Sequence, residues 1–144
     1  MMKSFSTRTT IRATPESIWR LLTDAPSYPA WNPTVERVEG RIAPGERIKV
    51  HAKISPGRAF PVKVSDFVPN TRMVWSSGMP FGLFKGARTF TLTKVPGDAV
   101  EFSMSEVFSG PLAGLIGKSI PDLQPAFDEF ARALKEKAEA VSSG

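Results

Sequence analysis

Residues 122–141 read DLQPAFDEFARALKEKAEAV, and within them Leu123, Phe127, Phe130, Leu134, Ala138 and Val141 recur every three or four positions. That spacing places them on one face of a helix. Asp128, Glu129, Arg132, Lys135, Glu136 and Lys137 take the opposite face, so the helix must find an apolar partner. The partner on offer is the succession of strand-like segments that precedes it. A helix laid across a strongly curved sheet leaves part of the concavity unfilled, which is room for a small apolar molecule. Ser119 reads as the N-cap with Asp122 completing a capping-box-like start, while Pro125 either kinks the first turns or moves the start to near Gln124.

Working back from that helix, the chain reads as strand, helix, six strands, helix. Phe5 to Ala13 alternates as a strand, with Phe5, Thr7, Thr9 and Ile11 on one face. Thr14-Pro15-Glu16 is a helix start, followed by Ile18, Leu21 and Leu22 at helical spacing and closed by Asp24-Ala25-Pro26. Ser27 to Trp31 fits one more turn, and Asn32-Pro33 returns the chain to extended geometry. From Thr34 onward, turn signals at 43–46, 55–58, 69–71 and 95–98 separate alternating segments. Connections this short join only antiparallel neighbours. Residues 77–84 and 110–117 are unlike the other connections, being apolar and punctuated by glycine. They read either as caps on the core or as a portal over a cavity.

Composition narrows the function. At 144 residues and 41% hydrophobic content the chain is expected to form one domain over 1–144. No apolar run reaches membrane-spanning length and the first residues lack a signal-peptide stretch, so a cytoplasmic protein is expected. The absence of cysteine removes disulfides, thiolate nucleophiles and cysteine metal sites together. A net charge of +5 raises nucleic acid or an anionic membrane as partners, but the basic residues are mostly scattered. No nucleic acid is expected. The exception is Arg47 to Ile54, where Arg47, Lys49, His51 and Lys53 share one face that Lys63 extends. That face is either a solvated sheet exterior or a docking surface for an anionic membrane or acidic partner. A monomer or a homodimer is compatible with the sequence.

The hairpin around Gly97 gives the sharpest local expectation. Phe90 and Leu92 on one strand and Val100, Phe102, Met104 and Phe108 on the next share inward parity, and so do Arg88 and Glu106. A turn of Pro96, Gly97 and Asp98 pairs Phe90 with Met104, Leu92 with Phe102 and Arg88 with Glu106. A two-residue turn spoils this register unless a bulge restores it. An ion pair then lies on an apolar face, as a self-neutralising pair at the barrel end or as a polar anchor for a ligand. Asp66 follows Phe60, Val62 and Val64 on their parity and is a weaker third polar candidate, unless a bulge near Phe67 and Val68 turns it outward. Trp31, Phe60, Trp75, Phe81, Phe84, Phe90, Met104, Leu123, Phe127 and Phe130 supply candidate apolar walls.

Conventional catalytic motifs are missing. Gly117-Lys118-Ser119 resembles the end of a phosphate loop, but the glycine required five positions earlier is Leu112. His51, the single histidine, falls on the basic outer face, and Tyr28, the single tyrosine, reads as packing near the pocket mouth. No metal or cofactor is expected. Any acid–base chemistry would fall to Glu106 or Asp66, with Arg88 stabilising an enolate.

The set Pro15-Glu16-x-Ile18-Trp19, Trp31-Asn32-Pro33, Leu83-Phe84-x-Gly86, Thr89-Phe90-Thr91-Leu92, Glu106-x-Phe108-x-Gly110 and the closing helix resembles the polyketide cyclase/dehydrase-like branch of the START and Bet v 1-like superfamily. The resemblance covers nearly the whole chain. It implies an α+β helix-grip fold, a seven-stranded antiparallel sheet wrapped around the C-terminal helix with a hydrophobic cavity between. Members include ligand carriers, cyclases, stress-related proteins and chaperone-associated proteins. Three functions therefore follow as expectations: binding or transport of a hydrophobic small molecule or lipid; cyclase, aromatase or dehydratase chemistry on a polyketide-like substrate; or an adaptor role at a protein or membrane surface.

Overall fold

Phe5 and Ile11 are buried and Thr7 and Thr9 half-buried along β1 (Lys3–Ile11), so the alternating pattern lays one strand face on the core. The computed structural model describes residues 3–143. After β1, Thr14 caps α1 (Pro15–Thr23) by accepting the Ser17 N–H at 3.2 Å, and Pro15 occupies the first helical position, where no N–H is needed. A 3₁₀ turn over Ala25–Ser27 and the short α2 (Tyr28–Trp31) follow. The Tyr28 hydroxyl donates to the Leu22 carbonyl at 2.6 Å and ties the two helices together. Burial raises its pKa well above the ordinary phenol value. Tyr28 is thus a packed brace.

Six further strands form β2 (Val35–Glu39), β3 (Arg47–Ala52), β4 (Phe60–Val68), β5 (Arg72–Gly78), β6 (Lys85–Val95) and β7 (Ala99–Ser109). With β1 they make a seven-stranded, wholly antiparallel sheet in the order β1-β7-β6-β5-β4-β3-β2, curled around the last helix. A short α3 (Ala113–Ile116) and a 3₁₀ turn lead into α4 (Gln124–Ser143). The expected β-α-α-β6-α order and helix-grip architecture are what the chain adopts, with α3 added.

Two details of α4 differ from expectation. Ser119 does not cap it, since its hydroxyl turns back to the Ile116 carbonyl at 2.7 Å. The helix starts at Gln124, whose N–H is received by Asp122 Oδ1 at 3.0 Å, and Pro125 falls harmlessly within the first turn. At the other end, Phe127, Phe130, Leu134 and Ala138 are buried but Val141 is 54% exposed. The Arg12 N–H, just past the end of β1, already reaches Glu139, so no sheet remains for Val141 to cover.

The basic face of β3 lies on the exterior, as its parity requires. Glu39 on β2 sits opposite Lys49, 2.9 Å from Arg37 Nε and 3.5 Å from His51 Nε2, which holds its carboxyl below the usual value and offsets part of the patch. Nothing in the fold marks that face as a docking surface.

Candidate functional site

The hairpin of β6 and β7 closes over Pro96, Gly97 and Asp98, with Gly97 and Asp98 both left-handed (φ 90° and 55°). Three residues in the turn put Phe90 opposite Met104, Leu92 opposite Phe102 and Arg88 opposite Glu106. Arg88 Nε then donates to Glu106 Oε1 at 2.6 Å, with side chains 25% and 14% exposed. The guanidinium also lies 4.7 Å from the Phe127 ring centroid on α4, so helix and sheet clasp one cation. Across the sheet, Trp75 pairs with Arg88, extending the row to Trp75, Arg88 and Glu106 on the inner face.

That row forms part of the wall of a cavity of ≈ 500 Å³ between the sheet and α4. Phe60, Trp75, Arg88, Met104 and Glu106 from the strands, Phe84 from the β5–β6 connection, and Leu123, Phe127 and Phe130 at helical spacing all line it. Phe84 and Phe108 stack at 5.9 Å near Gly86, where an added Cβ would approach the Phe108 ring to 3.0 Å. The indole N–H of Trp75, itself a residue of the cavity wall, is buried with no partner among the described residues.

Four expected wall residues stand elsewhere. Asp66 points outward, 54% exposed, and forms an ion pair with Arg72 at 3.1 Å. A bulge between Ser65 and Val68, with Asp66 left-handed at φ 47°, reverses parity and sends Phe67 inward against Trp19 instead. Phe81 is 98% exposed because its own backbone is left-handed (φ 62°) and the loop carries the ring away from the core. Phe90 is fully buried one layer deeper, 4.8 Å from Trp75 and 6.0 Å from Phe130. Trp31 packs edge-on to Phe130 at 5.5 Å and borders a shallow groove on the outer side of α4 rather than the cavity.

Several wall residues had no separate signal. Val50, Val62 and Phe108 follow from parity alone, whereas Arg58, Ser77, Ile116 and Ile120 lie at strand ends or in connections where parity says nothing. Arg58 reaches across the Phe60 ring at 5.6 Å. Among the described residues no cluster of three or more His, Cys, Asp or Glu side chains could hold a metal ion. The wall includes one carboxylate (Glu106), two guanidinium groups (Arg88 and Arg58) and the hydroxyl residues Thr34, Ser55, Ser77 and Ser119 among apolar side chains, which can orient a polar group while burying an apolar body.

A curled antiparallel sheet gripping one long helix, with a partly polar chamber between, defines the helix-grip class. The family model for "Polyketide cyclase / dehydrase and lipid transport" matches residues 2–139, and the chain belongs to that family. Comparison with curated proteins gives no match. Similar solved structures include the Aha1 dimer from Colwellia psychrerythraea (TM-score 0.71, 20% identity, 99% of each chain covered). A START superfamily protein from Mycobacterium smegmatis superposes with TM-score 0.66 at 18% identity, covering 97% of this chain and 98% of the other. DynU16, from the dynemicin biosynthetic locus, gives TM-score 0.70 at 15% identity over 96% of this chain and 48% of its own. At these identities the likeness is one of fold. Among the described residues no helix is long and apolar enough to cross a membrane.

Proposed function

We propose that the chain, acting as one domain over 1–144, binds or carries a hydrophobic small molecule or lipid in the chamber between sheet and α4. The apolar body rests against Phe60, Phe84, Phe127 and Phe130, and a polar head meets Arg88 and Glu106. The observation that carries this reading is a ≈ 500 Å³ space walled by these rings and by one ion pair. Pockets that hold small ligands run about 300–1,000 Å³ and have this mixture of apolar wall and few polar groups. Native mass spectrometry of freshly purified protein, followed by titration with fatty acids, sterols and aromatic polyketides, tests it. Bound mass or saturable affinity supports the reading; a consistently empty protein with no affinity for any of them refutes it.

A second reading is supported by the placement of Glu106. Its carboxylate faces the chamber beside a guanidinium, a pair suited to moving a proton while an enolate forms. Cyclase or dehydratase turnover of a polyketide-like substrate should then collapse in Glu106→Gln while substrate still binds. An unchanged rate in that variant removes the mechanism.

A further inference from the structure

Strand alternation brings the β3–β4, β5–β6 and β7–α4 connections to one end of the sheet, the end at which the chamber is lined by Ile54, Phe84 and Ile116. That end carries exposed Ile54 (45%), Met79 (43%), Phe81 (98%), Leu83 (38%) and Leu115 (71%). Elsewhere among the described residues only Val68 and Val141 are large, apolar and comparably exposed. Scattered exposed apolar side chains need no explanation, but this concentration around a cavity mouth does. Two of the loops are lashed together, the Leu112 N–H donating to the Leu83 carbonyl at 2.9 Å. At Gly110 (φ +105°) an added Cβ would lie 2.7 Å from the Gly82 and Leu83 carbonyls. The tips of the β5–β6 and β7–α4 connections are therefore held together.

Phe81 contributes nothing favourable to the fold. Its ring is almost wholly in water and its backbone is in the left-handed region that a bulky residue adopts only under strain. The charges in the connections at this end are mostly of one sign: residues 54–59, 79–85 and 110–123 contain Arg58, Lys85 and Lys118, all exposed, against the single acid Asp122. A second copy docked on this end would bring like charges together. A bilayer with acidic head groups complements them, and its interfacial layer accepts an aromatic ring.

We propose that this end of the molecule docks on an anionic lipid surface, with Phe81 and Leu115 entering the interfacial layer and the chamber mouth facing the membrane. This goes beyond the ligand-binding reading and stands whether or not the chamber is filled.

Flotation of the full chain with vesicles of phosphatidylcholine, alone or mixed with phosphatidylglycerol, is the test. The protein should float with the anionic vesicles, less so as salt is raised. Phe81→Ser combined with Leu115→Ser should lower partition roughly tenfold or more, since two inserted apolar side chains are removed. Its thermal midpoint should not fall, because neither side chain packs in the fold. Lys85→Glu with Lys118→Glu should weaken binding at low salt, each basic group near such a surface being worth roughly fivefold. The proposal is overturned by failure to float with anionic vesicles, or by undiminished flotation of the serine variant. It is also overturned if the wild type dimerises and the serine variant does not, which would make a second copy the occupant.

Discussion

Replacing Arg88 and Glu106 by leucine, singly and together, distinguishes an anchor for ligand from a pair that only satisfies itself. Removing one member of a fully buried pair costs about 3–5 kcal/mol, because the survivor is left charged and unpaired. Here the partners are 25% and 14% exposed beside an open chamber, so solvent screening reduces that to about 1–2 kcal/mol. Glu106→Leu should be the worse of the two. It strands a guanidinium that has no neutral form, whereas a stranded carboxyl can take up a proton. The double variant should lie within about 1 kcal/mol of the wild type, since both charges are gone and leucine suits the apolar wall. Binding should behave differently. A fatty acid head held by a charge-assisted hydrogen bond loses about 1.5–3 kcal/mol, roughly 10- to 150-fold in affinity, while the alkane of equal length is unaffected. Urea unfolding reads the first set and fluorescence titration the second. A double variant that binds the fatty acid as tightly as wild type refutes the anchor, and one as unstable as both single variants combined refutes the pairing energetics.

Phe130 is buried and meets the rings of Trp31, Tyr28, Phe90 and Phe102 at 5.5–6.4 Å, so Phe130→Ala should cost about 3–5 kcal/mol in urea unfolding. Gly110→Ala combines a φ of +105° with a 2.7 Å approach to two carbonyls and should destabilise by about 2 kcal/mol or more. Gly97→Ala, with nothing within 4 Å, should lose only about 1 kcal/mol from its left-handed backbone; equal losses would deny the packing of the two loops. Glu139 receives the Arg12 N–H and the Lys135 ammonium, each at 2.9 Å, which lower its pKa from 4.5. A lowered carboxyl pKa adds stability that is complete above the ordinary value and fades as pH falls through the lowered one. The urea midpoint of Glu139→Gln should therefore trail wild type at neutral pH and converge with it below about pH 4.5; a gap that persists in acid would point to packing instead.

How much of this was legible in the sequence differs residue by residue. The hairpin register was readable because β alternation has period two and a three-residue turn fixes which side chains face each other, so Arg88 and Glu106 could be paired across 18 positions. The grip of α4 was readable because its stripe repeats at helical spacing over four turns or more. Val141 escaped because a stripe does not say where its partner sheet ends. Asp66 was left between two orientations because alternation does not say whether a bulge near Phe67 and Val68 occurs; one does, it reverses parity, and the same local freedom turned Phe81 outward. Trp31 and Phe90 show a different limit: both are near the chamber but behind its wall, and depth below a surface is not a one-dimensional property. The chain's periodicities, set by local backbone geometry, thus determined the elements, their facing sides and the ion pair. Which rings line the chamber, how large it is and which loops meet at its mouth were decided only by packing between residues far apart in sequence, where excluded volume in three dimensions selects the arrangement.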